Sequence, residues 1–246
     1  MGMLDKVVSG KVDKPPKMLV WGAPAVGKSS FAAGAPKALF IEAEDRTGHL
    51  DVNRVPVASW EEIFQVIKEV GMAEGKPYET VVFDTVDAME ILLFDFMAKE
   101  AQVDSHEDIG GGWFKYRTPM IRQWKRFTNA MDKLTSRGIQ CILLAHAQTK
   151  TYQPPGGGDK YDRFVIKMDQ AGGDFLVENV DLVGHASFQV YVTKSGDKTA
   201  KAKATTAGKR LLNFKFDPVH PTKQGVPCAD SCELSWDAFQ EGLVND

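Results

Sequence analysis

The segment Gly22-Ala23-Pro24-Ala25-Val26-Gly27-Lys28-Ser29 has the residue types and spacing most directly suited to chemistry. Two glycines five residues apart let the backbone curl until successive N–H groups converge on one anion, and phosphate fits such a nest. Lys28 would reach the β- and γ-phosphates of ATP, and Ser29, followed by Ser30, would offer its hydroxyl to Mg2+. The segment stands between an apolar strand, Lys17 to Trp21, and a short helix, Lys28 to Ala33, stopped by Gly34 and Pro36.

Carboxylates that could complete such a site fall at strand ends. Asp84 follows the buried strand Thr80-Val81-Val82-Phe83, where it would hold Mg2+ through water, with Thr85 or Asp84 as the cap of the next helix, and both roles can coexist. Hydrolysis also needs a base to polarise water. Glu42 and Glu44 both lie near the end of Phe40-Ile41-Glu42-Ala43-Glu44, on one face of a strand, and spacing does not choose between them. Asp87 is a third candidate, which also suits the first turn of a helix.

The elements that must position these residues alternate. Ala38 to Ala43 reads as a strand. Ser59 to Ala73 reads as a helix opened by a Ser59/Glu62 capping box, and Val86 to Ala101 as another. Thr118 with Pro119 opens a further helix closed by Gly138, and Ile139 to Ala145 is a continuous apolar strand suited to the middle of a parallel sheet. From Val180 the pattern becomes strand after strand: Val180 to Ser187, Gln189 to Thr193, Lys201 to Thr206 and Leu211 to Phe216. The fold class is α/β, a mostly parallel sheet flanked by helices with a β-rich C-terminal end. The expected division is an N-terminal arm over 1–16 that could contact other subunits, a core over 17–216 and an extension over 217–246 containing Trp236, Phe239 and Leu243.

Bulk numbers narrow the class. The chain has 246 residues and a formal net charge of -3, so nucleic-acid contact would need local basic patches. No apolar run approaches a membrane span, and three cysteines make no secreted disulfide framework, which points to the cytoplasm. Cys228, Cys232 and His220 match no common zinc spacing, and Cys141 sits in a core strand.

The order of glycine loop, Phe-Ile-Glu-Ala-Glu-Asp, Val-Val-Phe-Asp-Thr and Cys-Ile-Leu-Leu-Ala-His-Ala-Gln resembles the RecA-like ATPase core across about residues 17 to 216. It is most similar to the compact phage-type members of that family, which include single-strand annealing proteins. The resemblance implies Glu44 as the catalytic base and His146 as the residue sensing the γ-phosphate, with Gln148 just beyond. It departs from recombinases in its very short helix after the glycine loop, and no separate DNA-binding domain is expected beside the core.

Two segments combine glycines, cations and rings, the features that hold single-stranded DNA. The first runs from Gly110 through Trp113, Lys115, Tyr116 and Arg117 to Arg122, Trp124, Lys125, Arg126 and Phe127; Trp124 and Phe127 fit a helix core instead. The second holds Lys150, Tyr152, Gly156 to Gly158, Lys160 and Arg163. RecA-like sites are also completed by a basic finger from a neighbouring subunit. Lys209 and Arg210, after Gly208, would sit at a turn able to cross such an interface, or would be edge charges like Lys201 and Lys203. The reading is an ATP- and Mg2+-dependent ATPase stimulated by single-stranded DNA, homo-oligomeric, acting in recombination or annealing. The alternatives are an ATP-regulated annealing protein with little turnover, a P-loop helicase or motor, and a small-molecule kinase.

Overall fold

The computed structural model describes residues 2–7, 9–10, 14–44, 47–154, 156–193 and 203–243. Its first half alternates strand and helix: β1 (Lys17–Gly22), α1 (Lys28–Ala33), β2 (Ala38–Glu42), β3 (Asn53–Pro56), α2 (Trp60–Met72), β4 (Thr80–Asp84) and α3 (Val86–Ala101). Then follow α4 (Arg117–Thr135), β5 (Gln140–Tyr152), β6 (Tyr161–Ile166), α5 (Gln170–Asn179), β7 (Leu182–Thr193), β8 (Lys203–Asn213), β9 (Lys223–Gln224), β10 (Ser231–Glu233) and α6 (Trp236–Gly242).

One sheet runs β10-β8-β7-β1-β5-β4-β2-β3, with β6 paired to β5 and β9 to β7. From β7 to β3 every neighbouring pair is parallel; β8, β9 and β10 add antiparallel pairs. β1, β2 and β4 are buried along their whole length, the near-continuous apolar pattern of a sheet covered on both faces. This is the expected mixed α/β fold, a mostly parallel sheet flanked by helices with a β-rich C-terminal end. Two apolar layers flank the sheet. The larger packs α2 to α5, where Trp60 meets Trp124 edge-on at 5.2 Å and Phe83 meets Phe127 at 4.9 Å. Such pairs each add about 0.5–1.5 kcal/mol beyond area burial. Trp124 and Phe127 are core residues. The smaller layer packs Phe31 of α1 against Phe239 of α6 and Phe214.

Several expected elements differ. Ser59 does cap α2 through the Glu62 N–H, but the Glu62 carboxylate accepts from Ala58, one residue before the cap. β5 continues seven residues past Ala145 and pairs antiparallel with β6, so Lys150 and Tyr152 lie in a hairpin. Val180 to Ser187 and Gln189 to Thr193 belong mainly to one strand, β7. Gly208 is not at a turn. Its left-handed φ of 75° sits where the β7–β8 register shifts, opposite Gln189, so β8 runs on through a bulge. Lys209 and Arg210 are therefore inside a strand, while Lys201 lies outside the described residues. Residues of the C-terminal extension pack onto the core as β9, β10 and α6. No described helix is long and apolar enough to cross a membrane.

Candidate active site

The tips of β1, β2 and β4 meet the middle of β5, at His146, at one end of the parallel sheet, the end where open α/β sheets bind ligands. β1 delivers the glycine loop. Gly27 turns it into α1 with φ 109°, a left-handed conformation that favours glycine, and Ala25 also stands at φ 59°. Gly22 is required for a different reason: a Cβ there would lie 2.2 Å from the Ala186 carbonyl oxygen of β7. Ala23, Pro24 and Ala25 face solvent, Val26 is buried in the smaller layer, and Ser30 is exposed on α1.

Lys28 is 5% exposed, and its Nζ donates to the carbonyls of Gly22 and Ala23 at 3.2 and 3.0 Å. The Ser29 hydroxyl donates to Asp84 Oδ2 at 2.7 Å across the gap between loop and strand. Burial pushes the Asp84 carboxyl above its usual range, against the Ser29 hydrogen bond and the Lys28 charge. A desolvated carboxylate beside a hydroxyl is a hard-oxygen donor pair, the kind that suits Mg2+. Ser29 and Asp84 would hold that ion, the loop N–H groups and Lys28 would hold the triphosphate, and the ion would neutralise charge on the transferring phosphoryl group.

Thr85 caps α3 by accepting from Ala88, so the helix-capping reading of this turn holds for Thr85. Two residues on, Asp87 clasps β5 at His146, midway along the strand, where its parallel pairing with β1 ends. Its carboxylate accepts from the His146 backbone N–H at 2.9 Å and pairs with His146 Nδ1 at 2.8 Å. Burial works against ionisation of Asp87, but the hydrogen bonds from His146 outweigh it and hold the carboxyl below its ordinary value. An ionised Asp87 makes Nδ1 the donor, which leaves Nε2 as the ring's remaining polar atom. Glu44 joins this pair: ligand atoms of Glu44, Asp87 and His146 all lie within 4.8 Å of one another. Glu42 is buried at the tip of β2, in register with Asp84. The sequence marks Asp87 as a helix-start acid or an alternative base. Its bond to a residue 59 positions away is a property of the fold.

Arg210 reaches the same end of the sheet from β8. A Cβ on Gly27 would stand 2.7 Å from Arg210 Nη1, so the guanidinium lies against the glycine loop of its own chain. It also approaches the Phe188 ring, at 5.7 Å. Lys209, one residue earlier and within the irregularity at Gly208, is exposed.

The glycine-rich segments divide. Trp113 is 92% exposed and, like Phe114, has a left-handed φ, at 55° and 57°. Lys115 is exposed and donates to Gly110. Tyr116 is not a surface ring: it is 7% exposed, edge-on to Phe94 and His106, and its hydroxyl donates to Asp169 at 2.9 Å. Arg117 donates twice to the same Asp169 oxygen, at 2.9 and 3.1 Å, so its charge is matched within the chain. In the hairpin, Lys150 and Lys160 are exposed, and Tyr152 carries the Arg163 guanidinium over its ring at 4.9 Å.

Among solved structures, the flagellar accessory protein FlaH from Methanocaldococcus jannaschii is similar over 94% of this chain and 89% of that one. The identity is 12% and the TM-score 0.42. No curated protein matches the sequence. The AAA domain family AAA_24 matches residues 14–225. That match begins just before β1 and ends just after β9, so it contains every element of the site. The chain belongs to this family of P-loop AAA domains.

Proposed function

We propose that the protein is an ATP- and Mg2+-dependent ATPase, stimulated by single-stranded DNA, that assembles as a homo-oligomer on the strand in recombination or annealing. The observation that carries this reading is a hydrogen-bonded path along α3. At its first turn Asp87 holds His146 beside Glu44. One turn later Glu90 accepts from the Asp169 backbone N–H at 2.8 Å. Asp169 follows the β5–β6 hairpin and also holds Tyr116 and Arg117, which end the first glycine segment. A ligand that orders either segment therefore pulls on the helix that orients His146.

Single-stranded DNA suits the outer ends of this path. Trp113 offers a free ring face and Lys150 and Lys160 offer cations, the combination that stacks bases and tracks phosphates. Two consecutive aromatic residues held at positive φ are a local strain of the kind stored at ligand sites. Exposed Met3, Leu4 and Val7 in the N-terminal arm supply apolar contacts for assembly.

The test is ATP turnover with a single-stranded oligonucleotide, a duplex, or neither. Stimulation by the single strand above both others is expected. Asp169→Asn should keep basal turnover and lose most of the stimulation, because the shared acceptor loses its charge. Equal turnover in all three conditions, or full stimulation of Asp169→Asn, would remove DNA from the reading and leave a P-loop ATPase.

A further inference from the structure

α2 and α4 lie side by side on one face of the sheet, and a groove of about 680 Å3 runs between them. Ile67 and Leu134 form its floor, 5% and 1% exposed, while Met72 at its edge is 68% exposed. Two cations help to build its walls. Arg126 lies over the Phe64 ring at 4.1 Å, and Arg137 closes one end by donating to the carbonyls of Gly71 and Ala73. Four more stand around the opening: Lys68 on α2, and Arg122, Lys125 and Lys133 on α4. All four are exposed, and among the described residues none has a carboxylate in salt-bridge range. Among the described residues no carboxylate lines the groove, although acids outnumber bases in the chain as a whole, 33 to 30.

We infer that this groove docks an acidic amphipathic segment of a partner protein, its apolar side chains on the floor and its carboxylates along the cationic rim. Charge complementarity selects the occupant. Six cations in one concave patch create a local positive potential that focuses on an anionic ligand. The aliphatic floor then requires apolar side chains on the same ligand, at the helical spacing that fits a groove between helices. A nucleic-acid strand would use the rim but not the floor, and the one ring lining the groove, Phe64, has a face covered by Arg126. A second copy joined by two-fold symmetry through this face would set like charges against like. The inference lies beyond the DNA-stimulated ATPase, because Lys68, Lys133 and Arg137 belong to neither the cradle nor the glycine segments.

A phage-displayed library of random peptides, selected on the full chain and counter-selected on Lys68→Glu/Lys133→Glu, tests it. Enriched peptides should combine carboxylates with apolar residues one helical turn apart. A synthetic copy should bind the wild-type chain, weaken with salt, and lose at least about tenfold in affinity to the charge-reversed variant. Met72→Ser, at an exposed position, should weaken the same peptide severalfold. Unchanged basal ATP turnover in both variants shows that they are folded. Enrichment without an acidic bias, or peptides indifferent to both variants, would overturn the proposal. So would a charge-reversed variant that loses affinity for a single-stranded oligonucleotide while selecting no peptide, or one that loses self-association, since nucleic acid or a second copy would then be the occupant.

Discussion

At the nucleotide end, Ser29 is bonded to Asp84 and His146 to Asp87 through hydrogen bonds of 2.7 to 2.9 Å, and Asp84 and Asp87 are each 7% exposed. Along the glycine-rich segments, Trp113, Lys115, Lys150 and Lys160 face solvent, and one carboxylate, Asp169, gathers the segment ends. The first region is fixed by the sheet, since its residues stand on buried parallel strands or on the first turn of a helix behind one. The second is fixed by a few polar bonds, each worth about 1 kcal/mol net, more where charged. Rigid placement suits groups that must meet a transferring phosphoryl, and loose tethering suits groups that must adapt to a polymer.

The strongest way to break that contrast is Lys28→Ala, which removes the buried cation of the cradle and should abolish turnover. Near wild-type ATPase rates in that variant would undo the assignment of this end as the site. Arg210→Ala follows, with a loss of up to about 10³-fold and ATP binding largely kept, the scale of a missing charge-stabilising arginine. Because Arg210 lies against the loop of its own chain, mixing it with Glu44→Gln should give no rescue. Recovered activity in co-assembled mixtures would move Arg210 across a subunit interface instead. Glu44→Gln itself should cost on the order of 10²-fold in turnover at nearly unchanged ATP affinity. If Glu42→Gln proves the damaging change, the base sits one strand repeat earlier.

The smallest effect sharpens the connection between the two regions. Burial pushes the Glu90 carboxyl from its ordinary 4.5 up to about 8. The folded chain then keeps a proton that the unfolded chain has released, so stability falls as pH rises from 4.5 towards 8. Glu90→Gln keeps an acceptor for the Asp169 N–H and should be close to neutral at the acid end. At pH 8 it should raise the melting midpoint by about 2–4 °C for each kcal/mol recovered. Parallel melting curves for both proteins at all pH values would mean that Glu90 does not carry this proton.

Legibility in the sequence follows the same divide. β1, β2 and β4 were readable because strands buried on both faces give unbroken apolar runs, and their tips put Lys28, Ser29, Asp84 and Glu44 at one end. β3 gave no such signal, being a half-exposed edge strand ending in Pro56. α5 was hidden by Gly172-Gly173, which reads as a break. A Cβ at Gly172 would lie 2.9 Å from Glu90 Oε1 and 3.1 Å from Trp124 Nε1, so the glycine leaves room for both side chains. The polar stretch Gln148 to Tyr152 concealed the continuation of β5, since its partner β6 comes only after a glycine run. Tyr116 looked like a stacking ring because sequence cannot say which of three adjacent aromatic-rich positions turns inward. Arg210 near Gly27 required the bulge at Gly208, which sequence presents as a turn.

Arg210 and Leu212 of β8, and Phe214 just past its end, share one face, two residues apart each time. The lower pair is buried at 0% and 1% against the layer that contains Phe31 and Phe239, and the upper one meets the phosphate loop. The core beneath the site thus acts as a gauge that sets how far the guanidinium projects. A methylene gained or lost at Leu212 would shift that reach before it threatened the fold. Substitutions in this layer would consequently register first as altered kinetics, so that selection for turnover and selection for packing become the same constraint at these positions.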